Sequence, residues 1–225
     1  MSFLLNSYRF GGAPPGPSWI IQQGFEGTGY DNGETWVEAV VSDGTVDPNS
    51  TTTVLAGSQS LRLTLPTTQD GASTYNQFTG VSKLYCRMMF RLISVNQVAT
   101  TSLELASIRN GTTTLATLGI YGQSPLLEVT AAGGSINRTS TALSGSTIYI
   151  WFEYEAGTGS NAIARAGWST TITKPTLTAS GGQTCVSSNG TATANATRLY
   201  LGRTVTTAYR YVAVYDEIRA LGSTF

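Results

Sequence analysis

The sequence predicts an all-β protein built as a sandwich of two antiparallel sheets. Apolar and polar residues alternate along most of its 225 residues, which is the pattern of strands buried on one face. Gly, Asn, Ser and Thr separate these stretches at short intervals, as turns and loops do. Apolar residues do not recur at helical spacing over several turns anywhere in the chain. A chain of this length can form one large sandwich domain.

Residues 1–17 are predicted to form an extended N-terminal arm, and residues 18–225 a single domain. The arm begins with a short apolar piece and continues as GGAPPGP, a sequence that fits neither a helix nor a central strand. It has neither the basic start nor the long apolar run of a signal peptide. We expect it either to fold back on its own domain or to dock on a neighbour. Its candidate partner-binding residues are Phe3, Leu4, Leu5, Tyr8 and Phe10.

Strands are predicted in the first half of the chain at residues 19–25, 36–41, 60–65, 75–79 and 83–93. The polar residues 42–57 are predicted to form a long connection. The strand at 83–93 has the strongest alternation, and its predicted inward side chains are Leu84, Cys86, Met88, Phe90 and Leu92. This apolar face favours a buried free thiol at Cys86 over a disulfide with Cys185.

The second half begins with a predicted meander of strands at residues 102–108, 113–121 and 126–131. Strands at 147–155 and 162–170 follow, and then a Ser/Thr/Gly-rich excursion over 174–196 with one short strand around Cys185. The strand at 147–155 has two distinct faces. Ile148, Ile150, Phe152 and Tyr154 lie on one face, and Tyr149, Trp151, Glu153 and Glu155 lie on the other.

Residues 198–221 are predicted to form the last two strands, joined by a polar turn. In the second of them Val212, Val214 and Ile218 share one face, and Tyr209, Tyr211, Tyr215, Glu217 and Arg219 share the other. Asp216 falls on the apolar face, where an unpaired carboxylate is costly. We therefore expect an Arg, a hydroxyl, a backbone group or a cation beside it. A last strand this apolar on one face needs a neighbour, and the beginning of the domain is predicted to supply it.

The composition excludes several classes of function. Charged residues make up 12% of the chain and sum to a net charge of zero, so there is no electrostatic footprint for nucleic acid or for an anionic membrane. The chain contains no histidine, which excludes Ser-His-Asp and Cys-His nucleophile systems as well as His-ligated metal sites.

Five stretches, taken in order, resemble the concanavalin A-like lectin/glucanase superfamily, in particular the LamG-like jelly rolls found in bacteriophage virion proteins. They are GFEGTGYDNGETW, GSQSLRLTLP, YCRMMFRLIS, IYIWFEYEAGTGSNAIARAGWS and LYLGRTVTTAYRYVAVYDEIRAL. The resemblance implies a jelly-roll sandwich in which the first and last strands lie side by side. The opening MSFLLNSYRFG is also similar to the openings of phage structural proteins.

This resemblance implies a non-enzymatic bacteriophage virion structural protein, a capsid decoration or cement subunit. Such a subunit would bind the major capsid protein or other virion subunits through its arm and sheet faces, as a homo-oligomer or bound to the lattice. It would be located in the virion.

The alternative is a carbohydrate-binding module of a phage tail or fibre that recognises host glycans. Aromatic rings on a shared sheet face can stack on sugars, with polar groups around them. The candidate carbohydrate-binding residues are Tyr149, Trp151, Glu153, Tyr209, Tyr211 and Tyr215. Tyrosines on an exposed face also simply pair across strands, which is the competing interpretation.

Two groups of acidic residues are candidate chemical sites. Glu153 and Glu155 have the alternate spacing of a glycosidase pair, but no third acid follows, which favours two solvated glutamates at a strand end and no enzymatic activity. Asp31, Asn32 and Glu34 form the one close cluster of oxygen ligands in the sequence, which fits either a calcium site or a hydrogen-bonded turn. No other cofactor is predicted.

Overall fold

The protein is a sandwich of two antiparallel β-sheets, as predicted. A computed structural model describes residues 18–31, 33–66, 71–96, 101–203 and 210–223. The arm, residues 1–17, therefore lies outside the described residues, and the boundary between arm and domain stays a prediction. Within the described ranges there is no helix long and apolar enough to cross a membrane.

Within the described residues, fifteen strands make up the two sheets. They are β1 (Ile21–Gln23), β2 (Trp36–Val41), β3 (Thr45–Ser50), β4 (Ser60–Leu65), β5 (Gly71–Val81), β6 (Lys83–Asn96), β7 (Ser102–Asn110), β8 (Thr113–Tyr121), β9 (Leu126–Ala131), β10 (Ile136–Ala142), β11 (Ile148–Glu155), β12 (Ala162–Ser169), β13 (Thr184–Gly190), β14 (Ala196–Arg203) and β15 (Arg210–Leu221).

The larger sheet has the order β13-β12-β11-β6-β15-β4-β3, and β1 also pairs with β15. The smaller sheet has the order β10-β9-β8-β7-β14-β5-β2. The pairing of the first and last strands is confirmed, with Ile21 opposite Ala220 and Gln23 opposite Ile218. This ladder holds the start of the domain against its end.

The core lies between the two sheets and is formed by the inward face of each strand. On β11 the four predicted inward residues are fully buried, as are the first four on β6, whereas Leu92 is only partly buried. Each such side chain contributes roughly 1.5–3 kcal/mol by leaving water. Cys86 and Cys185 are free buried thiols, and burial raises the pKa of Cys185 to about 12. Both thiols are therefore protonated and unreactive at neutral pH.

The predicted faces of the last strand, β15, are wrong for Tyr211 and Tyr215 and right for Ile218, because the strand contains a bulge. Its ladder with β6 shifts register between Asp216 and Arg219, and Glu217 has a positive φ of 47°. Before the bulge Tyr211 and Tyr215 point into the core, and after it Ile218 does. One extra residue moves every later side chain to the opposite face, so strict alternation cannot be carried through this point.

Asp216 has the hydroxyl and backbone partners that were expected. Its carboxylate accepts hydrogen bonds from the Ser60 hydroxyl at 2.7 Å and from the amides of Ala56 at 3.0 Å and Glu217 at 2.7 Å. Burial nevertheless raises the pKa of Asp216 to about 6, because these three hydrogen bonds only partly compensate for the lost water.

Two strands of the structure are not predicted by the sequence. Residues 42–57 contain β3, which was predicted as part of a connection, and β10 was not predicted. Both are polar, and they lie at the edges of the larger and the smaller sheet respectively. An edge strand has one neighbour and little buried surface, so it forms without the apolar alternation that identifies a central strand.

Asp216 should make stability depend on pH in the acid range. Its pKa in the folded state lies above the value of about 4 for an unfolded aspartate, so the folded state binds more protons between about pH 4 and about pH 6. This contribution to the free energy of unfolding is largest at the acid end and is lost as the pH rises through about 6.

Urea denaturation of Asp216→Asn should therefore show a flatter dependence on pH than the wild-type protein over this range. Asp47→Asn is the control, since Asp47 is exposed and should leave the wild-type dependence unchanged. A wild-type profile in the Asp216→Asn variant would contradict the assignment.

Candidate functional site

Three of the predicted carbohydrate-binding residues lie together on the outer face of the larger sheet. Tyr149, Trp151 and Glu153 alternate along β11, and the ring centroids of Tyr149 and Trp151 are 6.2 Å apart. However, Trp151 is only 1% exposed and Glu153 only 3%. This part of the face is covered, so Trp151 is not an open platform for a sugar ring.

Tyr211 and Tyr215 do not lie on that face. The hydroxyl of Tyr215 donates to the carbonyl of Leu105 in the smaller sheet at 2.9 Å, and its ring packs edge-on against Phe90. Burial raises the pKa of both tyrosines above the ordinary range. The prediction that they form exposed platforms is wrong, because the bulge after Tyr215 reverses the assumed faces. Tyr209 lies outside the described residues, as do the five arm residues.

The early loop uses its carboxylates as hydrogen-bond acceptors for backbone and side-chain groups. Asp31 accepts from the amide of Glu26 at 2.8 Å. Glu34 accepts one hydrogen bond from the amide of Gln22 and another, at 3.0 Å, from the indole of Trp36. Among the described residues no three His, Cys, Asp or Glu side chains are grouped closely enough to hold a metal ion, and Asn32 lies outside those residues.

Glu153 and Glu155 belong to an ion-pair cluster. The prediction of two solvated glutamates is therefore wrong. Arg165 from the neighbouring β12 lies 2.7 Å from Glu155 and 3.8 Å from Glu153. Lys174 pairs with Glu153, and Lys83 lies 3.4 Å from Glu155. Burial alone would raise the pKa of Glu155, but Arg165 and Lys83 outweigh it and lower the pKa, so this carboxylate is ionised at neutral pH.

The outer face of the smaller sheet carries a second cluster of aromatic and charged side chains, which the sequence did not identify. The central strands β5, β14 and β7 place Tyr75 opposite Tyr200, and Arg198 opposite Arg109. The two tyrosine rings stack with centroids 4.5 Å apart. The guanidinium of Arg109 lies 4.2 Å from the centroid of Tyr200, and that of Arg198 lies 4.7 Å from the centroid of Tyr75. We call these four residues the tyrosine–arginine row.

Hydrogen bonds fix both arginines of the row. Arg109 donates to the Ser107 hydroxyl at 2.9 Å and to Glu104 at 3.2 Å. Arg198 donates to Gln77 at 3.1 Å, and its Nη1 lies 3.4 Å from the hydroxyl of Tyr200. The guanidinium groups and the phenol edge are therefore held in place before any ligand arrives, which lowers the entropic cost of binding.

A further cation–aromatic contact lies on the same face. Arg138 stands 3.6 Å from the ring centroid of Tyr121 and pairs with Glu128 at 2.6 Å. The register places Gly119 between Glu104 and Glu128, so the side-chain layer has a gap at that point. Three arginines (Arg109, Arg138, Arg198) against two glutamates give this group a formal charge of +1. Burial also raises the pKa of Glu104, which favours its neutral form.

The sequence contains only a weak signal for this face. Arg198 and Tyr200 alternate on one strand, and Tyr75 and Gln77 alternate on another. Neither pair predicts a site alone, because more than one hundred residues separate the two strands along the chain. Only the strand order of the smaller sheet brings them together.

The fold is similar to several solved structures. Endo-β-1,4-glucuronan lyase from the fungus Trichoderma reesei has a TM-score of 0.61 at 14% identity, covering 92% of this chain and 96% of that one. Cip1, a cellulose induced protein, has a TM-score of 0.58 at 15% identity, covering 91% and 98%. Alginate lyase vAL-1 from Chlorella virus has a TM-score of 0.52 at 8% identity, covering 83% and 92%.

The fold is a two-sheet jelly-roll sandwich, as predicted. The predicted resemblance is thus confirmed for the architecture, and identities this low establish the architecture alone. No protein-family model and no curated protein sequence matches the chain.

The predicted role as a non-enzymatic capsid decoration or cement subunit is contradicted. Of the similar structures described above, one is named as a glucuronan lyase and one as an alginate lyase, and nothing in the comparisons indicates a phage structural role. The same finding contradicts the prediction that the chain is not an enzyme. Capsid partners, a homo-oligomer and a virion location are not supported by these findings.

The stacking of Tyr75 on Tyr200 can be tested by a double-mutant cycle. The double variant should lose less free energy of unfolding than the two single variants lose together. We expect the difference, which is the coupling energy, to be about 1 kcal/mol. Urea denaturation of Tyr75→Ala, Tyr200→Ala and the double variant measures it. The control cycle pairs Tyr75→Ala with Tyr121→Ala, which should be additive. Equal coupling in both cycles would contradict a specific stacking interaction.

Proposed function

We propose that the protein binds a carboxylate-bearing polysaccharide across the outer face of the smaller sheet and cleaves it by elimination. The observation that carries this proposal is the tyrosine–arginine row, which places a phenol hydroxyl 3.4 Å from a guanidinium group. The carbohydrate class agrees with the alternative drawn from the sequence, but the residues are different ones.

The chemistry of the row favours an acidic polymer. Guanidinium groups match carboxylates in shape and charge, and here they belong to a group with a formal charge of +1. Gln77, which is exposed, and the half-buried Tyr75 supply donors and acceptors for sugar hydroxyl groups, whereas Tyr200 is 7% exposed. The similar structures named as glucuronan lyase and alginate lyase support the same class, since both names denote polymers of sugar carboxylates.

Elimination needs a base, a proton donor and a cation around the sugar carboxylate. A base removes the proton from the carbon next to the carboxylate, and the bond from the adjacent carbon to the linking oxygen breaks. The electron pair of the C–H bond forms a carbon–carbon double bond, and the leaving oxygen receives a proton. A cation must stabilise the negative charge that develops on the carboxylate meanwhile.

The row can supply these groups. Arg198 would bind the carboxylate, and Tyr200 would be the acid–base group. As a phenolate it takes the proton from the carbon, and as a phenol it then gives that proton to the leaving oxygen. Arg109 acts as a positioning residue, since its guanidinium lies against the ring of Tyr200 and is itself held by Ser107 and Glu104.

Loss of the Tyr200 hydroxyl should remove cleavage and retain binding. Tyr200→Phe keeps the stacked ring, and we expect the rate of cleavage to fall by about 100-fold or more, with a nearly unchanged affinity for the polymer. The rate is measured from the ultraviolet absorbance of the unsaturated product formed from glucuronan and alginate. Tyr149→Phe, on the other sheet, is the matched control and should retain the wild-type rate.

The binding part has its own test in affinity electrophoresis against the same polymers. Arg198→Gln should weaken retention by the acidic polymers. If the wild-type protein forms no unsaturated product from any carboxylate-bearing polymer, cleavage is excluded. If acidic and neutral polymers retain the protein equally, the proposed recognition of carboxylates is wrong.

A further inference from the structure

The larger sheet carries a cavity on its outer face, on the side of the sandwich opposite to the tyrosine–arginine row. It has a volume of about 610 Å³, and it lies over β6, β11 and β12 under the segment 174–178. We infer that this cavity binds an uncharged sugar residue and is a second carbohydrate site, independent of the one proposed for cleavage. We call it the Glu153 cavity.

The polar lining of the Glu153 cavity is balanced in charge. Two carboxylates, Glu153 and Glu155, line it together with two cations, Arg165 and Lys174. These four groups are already paired with one another. An anionic ligand would have to displace the carboxylates from their cations, and a cationic ligand would have to displace the cations. Either exchange would leave a largely buried charge without its partner, which is energetically unfavourable.

An uncharged, hydroxyl-rich ligand avoids that cost. A carboxylate accepts up to about four hydrogen bonds and a guanidinium donates up to five, so the paired groups keep free lone pairs and N–H groups for sugar hydroxyls. Hydrogen bonds to charged groups are also stronger than those between neutral groups. The cavity therefore selects for neutral hydroxyl groups.

The remaining walls fit the apolar faces of a sugar ring. Ile163, Pro175, Leu177 and Val186 line the cavity beside the charged groups. The ring of Tyr85 forms a further wall, and its hydroxyl donates to Glu155 at 3.2 Å. Burial and the nearby glutamates raise the pKa of Tyr85 to about 12, so this hydroxyl stays protonated. Apolar walls with a few fixed polar groups are typical of small-ligand sites, and the volume lies within their usual range of about 300–1,000 Å³.

The covering segment is held in place by the sequence of β12 below it. A side chain at Gly167 would meet Leu177 at 2.6 Å and Pro175 at 3.0 Å, so glycine allows the segment to lie close to the sheet. The pairing of Lys174 with the nearly buried Glu153 anchors the start of the same segment. A buried ion cluster contributes little net stability compared with apolar packing. Stability alone therefore does not explain why these charges line a cavity.

The test is a titration of the full chain with cellobiose, maltose and lactose, each beside the corresponding glucuronate-containing disaccharide. Amide chemical shifts followed by NMR report both affinity and place. We expect at least one neutral disaccharide to bind at least five-fold more tightly than its acidic counterpart. The shift changes should cluster at residues 163–165 and 174–178 and should spare the strand that carries Tyr200.

Two variants locate the binding without relying on a single substitution. Glu155→Gln should weaken the neutral sugar about tenfold or more, since one hydrogen bond to a charge is lost. Thr178→Trp should block the cavity while leaving every ion pair intact, because Thr178 is an exposed lining residue. The matched control is Glu217→Gln on the same sheet, a partly exposed glutamate outside the cavity, which should leave the affinity unchanged.

The outcomes separate this site from the proposed cleavage site. Tyr200→Phe should retain wild-type binding of the neutral sugar, and Thr178→Trp should retain any cleavage of acidic polymers. The inference is overturned if none of the three neutral disaccharides binds, if the acidic disaccharides bind equally well, or if the shift changes map to the smaller sheet. Wild-type affinity in the folded Thr178→Trp variant would also overturn it.

Discussion

The bulge in β15 is the constraint on which the rest of the larger sheet depends. This strand pairs with β6 along most of its length, with β4 over its first half and with β1 near its end. A strictly alternating strand would turn either Tyr211 and Tyr215 or Ile218 away from the core. The extra residue, with Glu217 at a positive φ, lets both halves bury their apolar side chains. Asp216 stabilises the bulge by accepting a hydrogen bond from the amide of Glu217.

The inward turn of Tyr215 also joins the two sheets. A buried phenol needs a hydrogen-bond partner, and Tyr215 finds it in the carbonyl of Leu105 on the opposite sheet. The relative position of the sheets is thereby fixed by a directional contact as well as by apolar packing.

The two outer faces of the sandwich offer different chemistry on one scaffold. The smaller sheet presents arginines stacked on tyrosines with a formal excess of positive charge, whereas the Glu153 cavity of the larger sheet is lined by balanced pairs. A jelly roll can carry both, because outward side chains do not contribute to the core and so are free to differ. The proposed functions therefore rest on the two faces and not on the fold itself.

The sequence by itself determined the fold class, the strands with strong alternation and the pairing of the first strand with the last. The first two follow from local patterns, since burial of one strand face imposes a period of two on nearby residues such as Ile148 and Ile150. The pairing follows from the need of an apolar last strand for a neighbour. Only the tertiary structure decided which side of β15 faces the core, because one inserted residue reverses every later position. It also decided the candidate sites. Tyr75 and Tyr200 meet only through strand order, and the burial of Glu153 depends on Lys174 from a distant segment, so no local pattern could reveal either arrangement.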